Sequence, residues 1–273
     1  GLLSSTMPNA ATQTDPAKSA KFQRKRDRIL DAASMQINRH GIKGLTFADV
    51  AQAVGLNTSS VTYYFKRKEI LASATYERCL TRWHALVEEA ATQGTPRERV
   101  RRLVHDYLDI VIRVRAGREQ QLTLLSDMRA LDDENRGRLI RHYLKLLWQV
   151  ADLFGPMPDE VSRARHLASA QILLDVLHWS RTWLTHYSDK DFPRVEARLL
   201  EYLEHGFAPH GATWTPARVD TDQPAATGDT ANSRETFLQA ATVLINQRGY
   251  RGASVGRISA HLNVSKGSFY HHL

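Results

Sequence analysis

Residues 46–65 read TFADVAQAVGLNTSSVTYYF, and this stretch decides the fold. Thr46 stands three residues before Asp49, the spacing at which a hydroxyl caps the first turn of a helix and an acid completes a capping box. Val50, Ala51 and Val54 then give a short helix one apolar face, and Gly55, free to turn left-handed, ends it. After a turn of about three residues, Asn57 caps a second short helix over Thr58 to Tyr64, which is the helix-turn-helix arrangement. Ala51 and Gly55 are small, so the two helices can approach closely.

Upstream, Ile29, Ala32, Ala33 and Ile37 place an apolar face on a helix starting near Phe22, with Gly41 where a left-handed residue would end it. Downstream, a long helix runs from Lys66 toward Gly94 with Ile70, Leu71, Ala74, Leu80, Trp83 and Val87 along it. Pro96 opens another, in which Val100, Leu103, Val104, Tyr107, Leu108, Val111 and Ile112 recur at helical spacing. Leu122, Leu125 and Met128 predict a short helix. Leu139, Ile140, Tyr143, Leu144, Leu147 and Val150 predict a longer one ending at Gly155-Pro156. Two more follow: Asp159 to Tyr187, apolar almost all round at Ile172 to Leu177, and Pro193 to Phe207 with Val195, Leu199, Leu203 and Phe207. No alternating strand pattern bounded by hairpin signals occurs, so the expected fold class is all-α.

The chain then repeats itself. Sliding it by 208 positions aligns Ile29–Phe65 with Phe237–Leu273 without a gap, matching Ala32-Ala33 with Ala240-Ala241, Ile37-Asn38 with Ile245-Asn246, Gly41 with Gly249, Gly44 with Gly252 and Ser60 with Ser268. Ser254 replaces Thr46, Ile258 replaces Val50, Val264 replaces Leu56 and Ser265 replaces Asn57, each swap keeping the physical role. The expected organisation is a tail at 1–20, a helix-turn-helix domain at 21–66 and a helical domain at 67–208. A Pro/Gly-containing linker at 209–232 then leads to a second, incomplete helix-turn-helix at 233–273. That second copy has no counterpart of the long helix from Lys66, which suggests a truncated tandem protein whose last segment is marginal in isolation.

Charge is unevenly placed. Residues 1–68 hold eleven basic and four acidic side chains, a balance of +7 within a chain total of +8. A polyanion is the partner such a segment suits. With 273 residues and 42% apolar side chains the chain can bury a sizeable core, and a single cysteine, Cys79, excludes a disulfide scaffold and fits a reducing compartment. No run of about 18 apolar residues is present for a membrane span, and the first residues carry no apolar signal core. A cytoplasmic protein without membrane contact is therefore expected. No Gly-rich phosphate loop, nucleophile elbow, metal-ligand spacing or acid–base pair appears, so neither a cofactor, a metal nor an enzyme acting on a hydrophobic substrate is indicated.

These residues resemble the tetracycline-repressor (TetR) family of bacterial transcription regulators. The resemblance is carried by Thr46, Val50, Ala51, Val54, Gly55, Leu56, Ser60, Val61, Tyr64, Phe65, Lys68 and Leu71, with Asn57 where Ser is usual and Thr62 where Tyr is usual. The second copy fits through Val264-Ser-Lys-Gly-Ser-Phe-Tyr-His-His, with Asn263 in place of Gly. The resemblance implies a homodimeric DNA-binding repressor of a double-stranded operator, released by a small molecule in the helical domain. It implies that Thr58, Ser59 and Thr62 read bases, beside Asn57 and Ser60, and that Thr46, Tyr63 and Lys68 grip phosphates. Lys25 and Arg26, with Lys21, Arg24 and Arg28, suit backbone or minor-groove contact, although Thr46 and Asn57 also serve as caps and Tyr64 and Phe65 as core.

For an apolar or aromatic effector, the large residues on helices expected to line a pocket are Tyr107, Met128, Trp148, His178, Trp179, Trp183 and Tyr187. Two DNA-reading units about 34 to 36 Å apart require a dimer. The apolar surplus on the last two helices suits a four-helix interface between copies, and the second helix-turn-helix offers an intrachain pseudo-dimer instead. The competing readings are an interaction module that kept the fold without operator recognition, or an activator.

Overall fold

The computed structural model describes residues 16–209, 211–213, 215 and 234–272, and among these no β-strand occurs. The expectations for residues 1–15, for most of the 209–232 linker and for Leu273 lie outside the described residues. Eleven α-helices are described: α1 (Pro16–Gly44), α2 (Phe47–Val54), α3 (Thr58–Tyr64), α4 (Lys68–Ala91), α5 (Pro96–Arg115), α6 (Asp133–Asp152), α7 (Glu160–Leu184), α8 (Phe192–His205), α9 (Arg234–Arg248), α10 (Val255–His261) and α11 (Lys266–His272). A 3-10 segment, Leu125–Ala130, lies between α5 and α6.

The capping residues do what their spacing requires. Thr46 accepts the Asp49 N–H and Asn57 accepts the Ser60 N–H, while Gly55 turns left-handed at φ 67. Thr95 and Glu98 form a reciprocal capping box at the start of α5, and Asp159 does the same with Ser162 at the start of α7. Gly41, at φ 67 and ψ 176, breaks the helical path of α1 before its assigned end.

One large core joins α1–α3 to the helices that follow, running from Ile29 and Leu30 through Val61, Leu71, Tyr76, Leu80, Trp83, Leu103, Tyr107, Leu139 and Leu146 to Leu177 and Leu199. Helix α4 is its spine and packs on α1, α5 and α6. A second, small core of Phe237, Ala240, Leu244 and Ile258 holds α9–α11 together.

The repeat is reproduced at the level of backbone torsions. Gly249 takes φ 73 and ψ 167, close to Gly41. Asn263, opposite Gly55, takes φ 55, and it is the only non-glycine at positive φ among the described residues. Asn is the side chain that tolerates this region best, so the departure from Gly leaves the turn intact.

Two expectations need correction. Helix α1 begins at Pro16, six residues before Phe22, so residues 16–20, expected in the tail, are helical and carry the basic run from Lys21 to Arg28 on one continuous helix. On α6 the apolar residues form two stripes. Leu139, Leu146 and Val150 are buried, whereas Ile140, Leu144 and Trp148, spaced four apart, face outward.

Candidate nucleic-acid interface

Helix α3 is held by its inward residues. Val61 and Phe65 are buried against the core, and Tyr64 packs on Phe22 of α1 with ring centroids 4.6 Å apart. The outward residues Thr58, Ser59 and Tyr63 are exposed, Thr62 is half-buried, and Tyr63 at 67% is the most open large apolar side chain of this unit.

Asn57 and Ser60 are committed to the turn. The Asn57 Oδ1 accepts the Ser60 N–H at 2.8 Å, the Ser60 hydroxyl at 2.6 Å and the Ser59 hydroxyl at 2.9 Å. Thr62 donates back to the Thr58 carbonyl at 3.0 Å. The hydroxyls of Ser59 and Thr62 therefore offer their lone pairs outward as acceptors, while Thr58 has the freest choice of role. Thr46 donates to the Asp49 carboxylate at 2.6 Å, so its hydroxyl too is tied up in capping, although the residue is exposed.

The flanking cations divide by role. Lys68, the first residue of α4, donates to the Lys43 carbonyl at 3.1 Å, which anchors its ammonium beside α2 and leaves further N–H groups to point outward. The Arg26 guanidinium lies over the Phe65 ring at 5.2 Å from its centroid, and Lys25 is half-buried on the same helix. Arg28 supports the fold instead, donating to the Val54 carbonyl at 2.8 Å and so satisfying the end of α2.

Behind this surface, the segment before α6 is fastened to α1. Leu124 N–H donates to the Asn38 side chain at 2.7 Å, Asn38 donates to the Leu122 carbonyl at 3.1 Å, and Ser34 and Thr123 share a buried hydrogen bond of 2.7 Å. The Asp127 carboxylate accepts the Ile42 N–H at 3.2 Å. The same segment supplies Leu125, Ser126, Met128 and Arg129 to a cleft of about 490 Å³, whose other walls include Trp83, Tyr143, Leu146, Leu174, His178 and Trp179.

Of the residues expected to line a pocket, the cleft brings together Met128, His178 and Trp179, the last 60% exposed at its mouth. The other residues lie elsewhere. Tyr107 stacks behind Trp83 at 5.3 Å, Trp148 stands 43% exposed on the outer stripe of α6, and Trp183 and Tyr187 line a groove with Val195, Leu199 and Tyr202 of α8. Helical spacing identified these side chains as apolar-facing without telling which neighbouring helix they meet. Among the wall residues missed, which include Tyr143, Leu146 and Leu174, the largest is Trp83, whose position in a core stripe of α4 hid that it also borders the cleft.

The cleft is apolar with one polar margin, where Tyr143 donates to Gln171 at 3.2 Å and Gln171 donates to Asp175 at 3.0 Å. Burial lowers the pKa of His178, helped by Arg181, and this favours a neutral imidazole at pH 7. Among the described residues no cluster of three or more metal-ligating side chains occurs, and no helix is long and apolar enough to cross a membrane.

An all-helical fold with a helix-turn-helix at each end of the described residues defines the class. In the second, Ser265 caps α11 by accepting the Ser268 N–H at 3.3 Å, whereas Ser254, expected to cap as Thr46 does, makes no side-chain bond to the start of α10. The profile of bacterial regulatory proteins of the tetR family matches residues 29–75 and again 237–272. A BetI transcriptional regulator of Paraburkholderia phymatum is 33% identical over 88 residues, covering 32% of this chain and 45% of that protein. A regulator encoded in the dhlA 5′ region of Xanthobacter autotrophicus is 36% identical over 75 residues, covering 26% and 37% respectively. The chain thus spans less than half the length of these curated relatives. A TetR-family regulator from Bordetella parapertussis superimposes with a TM-score of 0.55 at 20% identity over 67% of this chain and 95% of that one. One from Agrobacterium tumefaciens does so with a TM-score of 0.51 at 20% identity over 66% and 97%. The tetR-family model thus matches the chain in two places 208 residues apart, and the solved TetR-family regulators share its fold.

Proposed function

We propose that the protein is a sequence-specific DNA-binding transcriptional regulator, a repressor whose operator affinity falls when an apolar or aromatic small molecule occupies the cleft under α7. The observation that carries this reading is the division of α3 into a buried face of Val61 and Phe65 and an outward face of Thr58, Ser59, Thr62 and Tyr63, flanked by Lys68 and Arg26. In this reading the hydroxyls meet base edges in the major groove, Tyr63 and Lys68 meet phosphates, and the cations of α1 add sequence-independent affinity. The names of the matched relatives are those of regulators, which favours this over catalysis.

The route from effector to DNA runs through residues 121–130. They wall the cleft through Met128 and Arg129 and hold α1 through Asn38, Ser34 and Ile42. A ligand that binds two arrangements of this segment unequally would shift α1 and the α3 it carries. A dimer supplies the second reading unit, and the uncovered apolar side chains Ile172 and Trp179 on α7 and Tyr202 on α8 suit an interface between copies.

Titration of labelled promoter DNA by fluorescence anisotropy, with specific and unrelated competitor, tests the reading. Thr58→Ala with Thr62→Ala is expected to erase most of the preference for the promoter, about 1–3 kcal/mol. Lys25→Ala with Arg26→Ala should weaken binding to every duplex alike and flatten the salt dependence by about 0.9 per lost phosphate contact. Equal affinity of the unaltered chain for all duplexes would instead point to an interaction module.

A further inference from the structure

The second helix-turn-helix does not float free of the first. Arg129, a wall residue of the cleft, donates to the Asn246 carbonyl near the C-terminal end of α9 at 2.7 Å, where a cation complements the open carbonyls of the helix. A side chain at Gly249 would meet Asp127 Oδ1 at 3.4 Å, and the other oxygen of Asp127 holds Ile42 of α1. The 3-10 segment Leu125–Ala130 thus sits between the C-terminal ends of α1 and α9, the equivalent helices of the two copies.

This seating has an electrostatic result. Ile42, next to Lys43, and Gly249, next to Arg248, both lie against the Asp127 carboxylate, which brings the two copies' basic ends to one place, and the Lys43 pKa is lowered, first by burial and then by Arg257, Arg248 and Lys68. Lys68 is tied to the Lys43 carbonyl, and Arg257 is oriented by donating to the Gly252 carbonyl at 3.1 Å. Arg257 stands where the first copy has Asp49, so the repeat has exchanged an acid for a base at this position. Residues 234–272 hold five basic side chains and one acidic one. Bringing four cations from two units together costs Coulomb energy in the free protein, and a polyanion reverses the sign of that term.

We infer that Lys43, Lys68, Arg248 and Arg257 form one phosphate-binding site shared by the two helix-turn-helix copies, which extends the duplex contact of the first copy within a single chain. The inference rests on the duplex-binding reading above. It adds a function for the second copy as an electrostatic extension that grips the strand beyond the region read by α3. Because these contacts go to phosphates, they add affinity and salt dependence without adding sequence preference.

The test measures binding of the full chain to a mixed-sequence duplex several helical turns long, at a series of potassium chloride concentrations. Arg248→Ala with Arg257→Ala is expected to make the slope of log K against log salt shallower by about 1.8, the value for two phosphate contacts. Arg248→Lys with Arg257→Lys should keep the original slope; it also gives up the guanidinium bond to Gly252, so it separates charge from local structure. If the alanine pair keeps the original slope, or the lysine pair loses as much as the alanine pair, the shared site is overturned while the proposed function stands. If the unaltered chain binds no duplex, both fall together.

Discussion

Raising the pH from about 8 to about 10.5 is expected to cost the folded chain about 3 kcal/mol of stability, read as a fall in the urea midpoint. Three weak acids lie buried close together in the core of α4 and α5. Burial raises the Cys79 thiol from 9.0 to about 11, against a smaller opposing pull from Arg82, Arg181 and Arg78. Burial also raises Tyr76 well above its ordinary value and raises Tyr107. Above an ordinary thiol pKa of about 9 the unfolded chain releases its proton while the folded chain keeps it, so stability falls with rising pH, by at most about 1.4 kcal/mol per pH unit for each group. The tyrosines join from about pH 10 upward, and below pH 9 all three contributions are intact. Cys79→Ala should remove more than half of the effect. The same burial leaves about one thiol in a thousand ionised at pH 8, so Cys79 should react with a disulfide reagent only after unfolding. A thiol that reacts at the rate of free cysteine in the folded chain, or an alkaline dependence untouched by Cys79→Ala, would contradict this account. Tyr76→Phe gives an independent check. Its hydroxyl is buried without a hydrogen-bond partner among the described residues, so the variant should be at least as stable as the parent at neutral pH.

Where a residue's role is local, the sequence discloses it. Thr46, Gly55 and Asn57 are fixed by dihedral and capping chemistry within four residues of themselves, and all three act as their spacing demands. The repeat was legible for the same reason, down to Asn263 in the left-handed place of Gly55. Roles set by a distant partner were not legible. Arg28 reads as one more cation in a basic run, yet its partner is the Val54 carbonyl at the far end of another helix. Asp127 carries no motif, although it joins α1 to the segment that walls the cleft. For the tryptophans of α4, α6 and α7, periodicity gives each an apolar face. Whether that face meets the core, the cleft or the outside depends on helix crossings between α4, α6 and α7, and single-helix patterns do not encode these.

Trp83 is where the misreading matters most, and truncating it should produce the largest loss of stability of any change considered. It is buried, stacks on Tyr107 with the rings nearly parallel at 16°, and forms the wall between the α4/α5 core and the cleft. Trp83→Ala removes that wall at a cost of about 3–5 kcal/mol, because the surrounding helices are locked by their other contacts and cannot collapse into the space. The void joins a cleft lined by Met128, Leu146 and Leu174, so it is apolar and shaped for a flat ring. Added indole should therefore bind the variant and raise its melting temperature, by about 2.7 kcal/mol of stability at a hundredfold excess over its dissociation constant. The parent, with its own indole in place, should respond less. Trp83→Phe, which keeps the aromatic wall, should fall between the two. A variant that loses little stability would place Trp83 outside the core, and one that ignores indole while the parent responds would place the ligand-accepting space elsewhere than against α4. If the rescue is seen, the cleft is shown to accept an apolar aromatic molecule within reach of Met128 and Arg129, residues of the segment that holds α1. Promoter affinity of the rescued variant, measured with and without indole, then asks whether filling the cleft moves the helix-turn-helix.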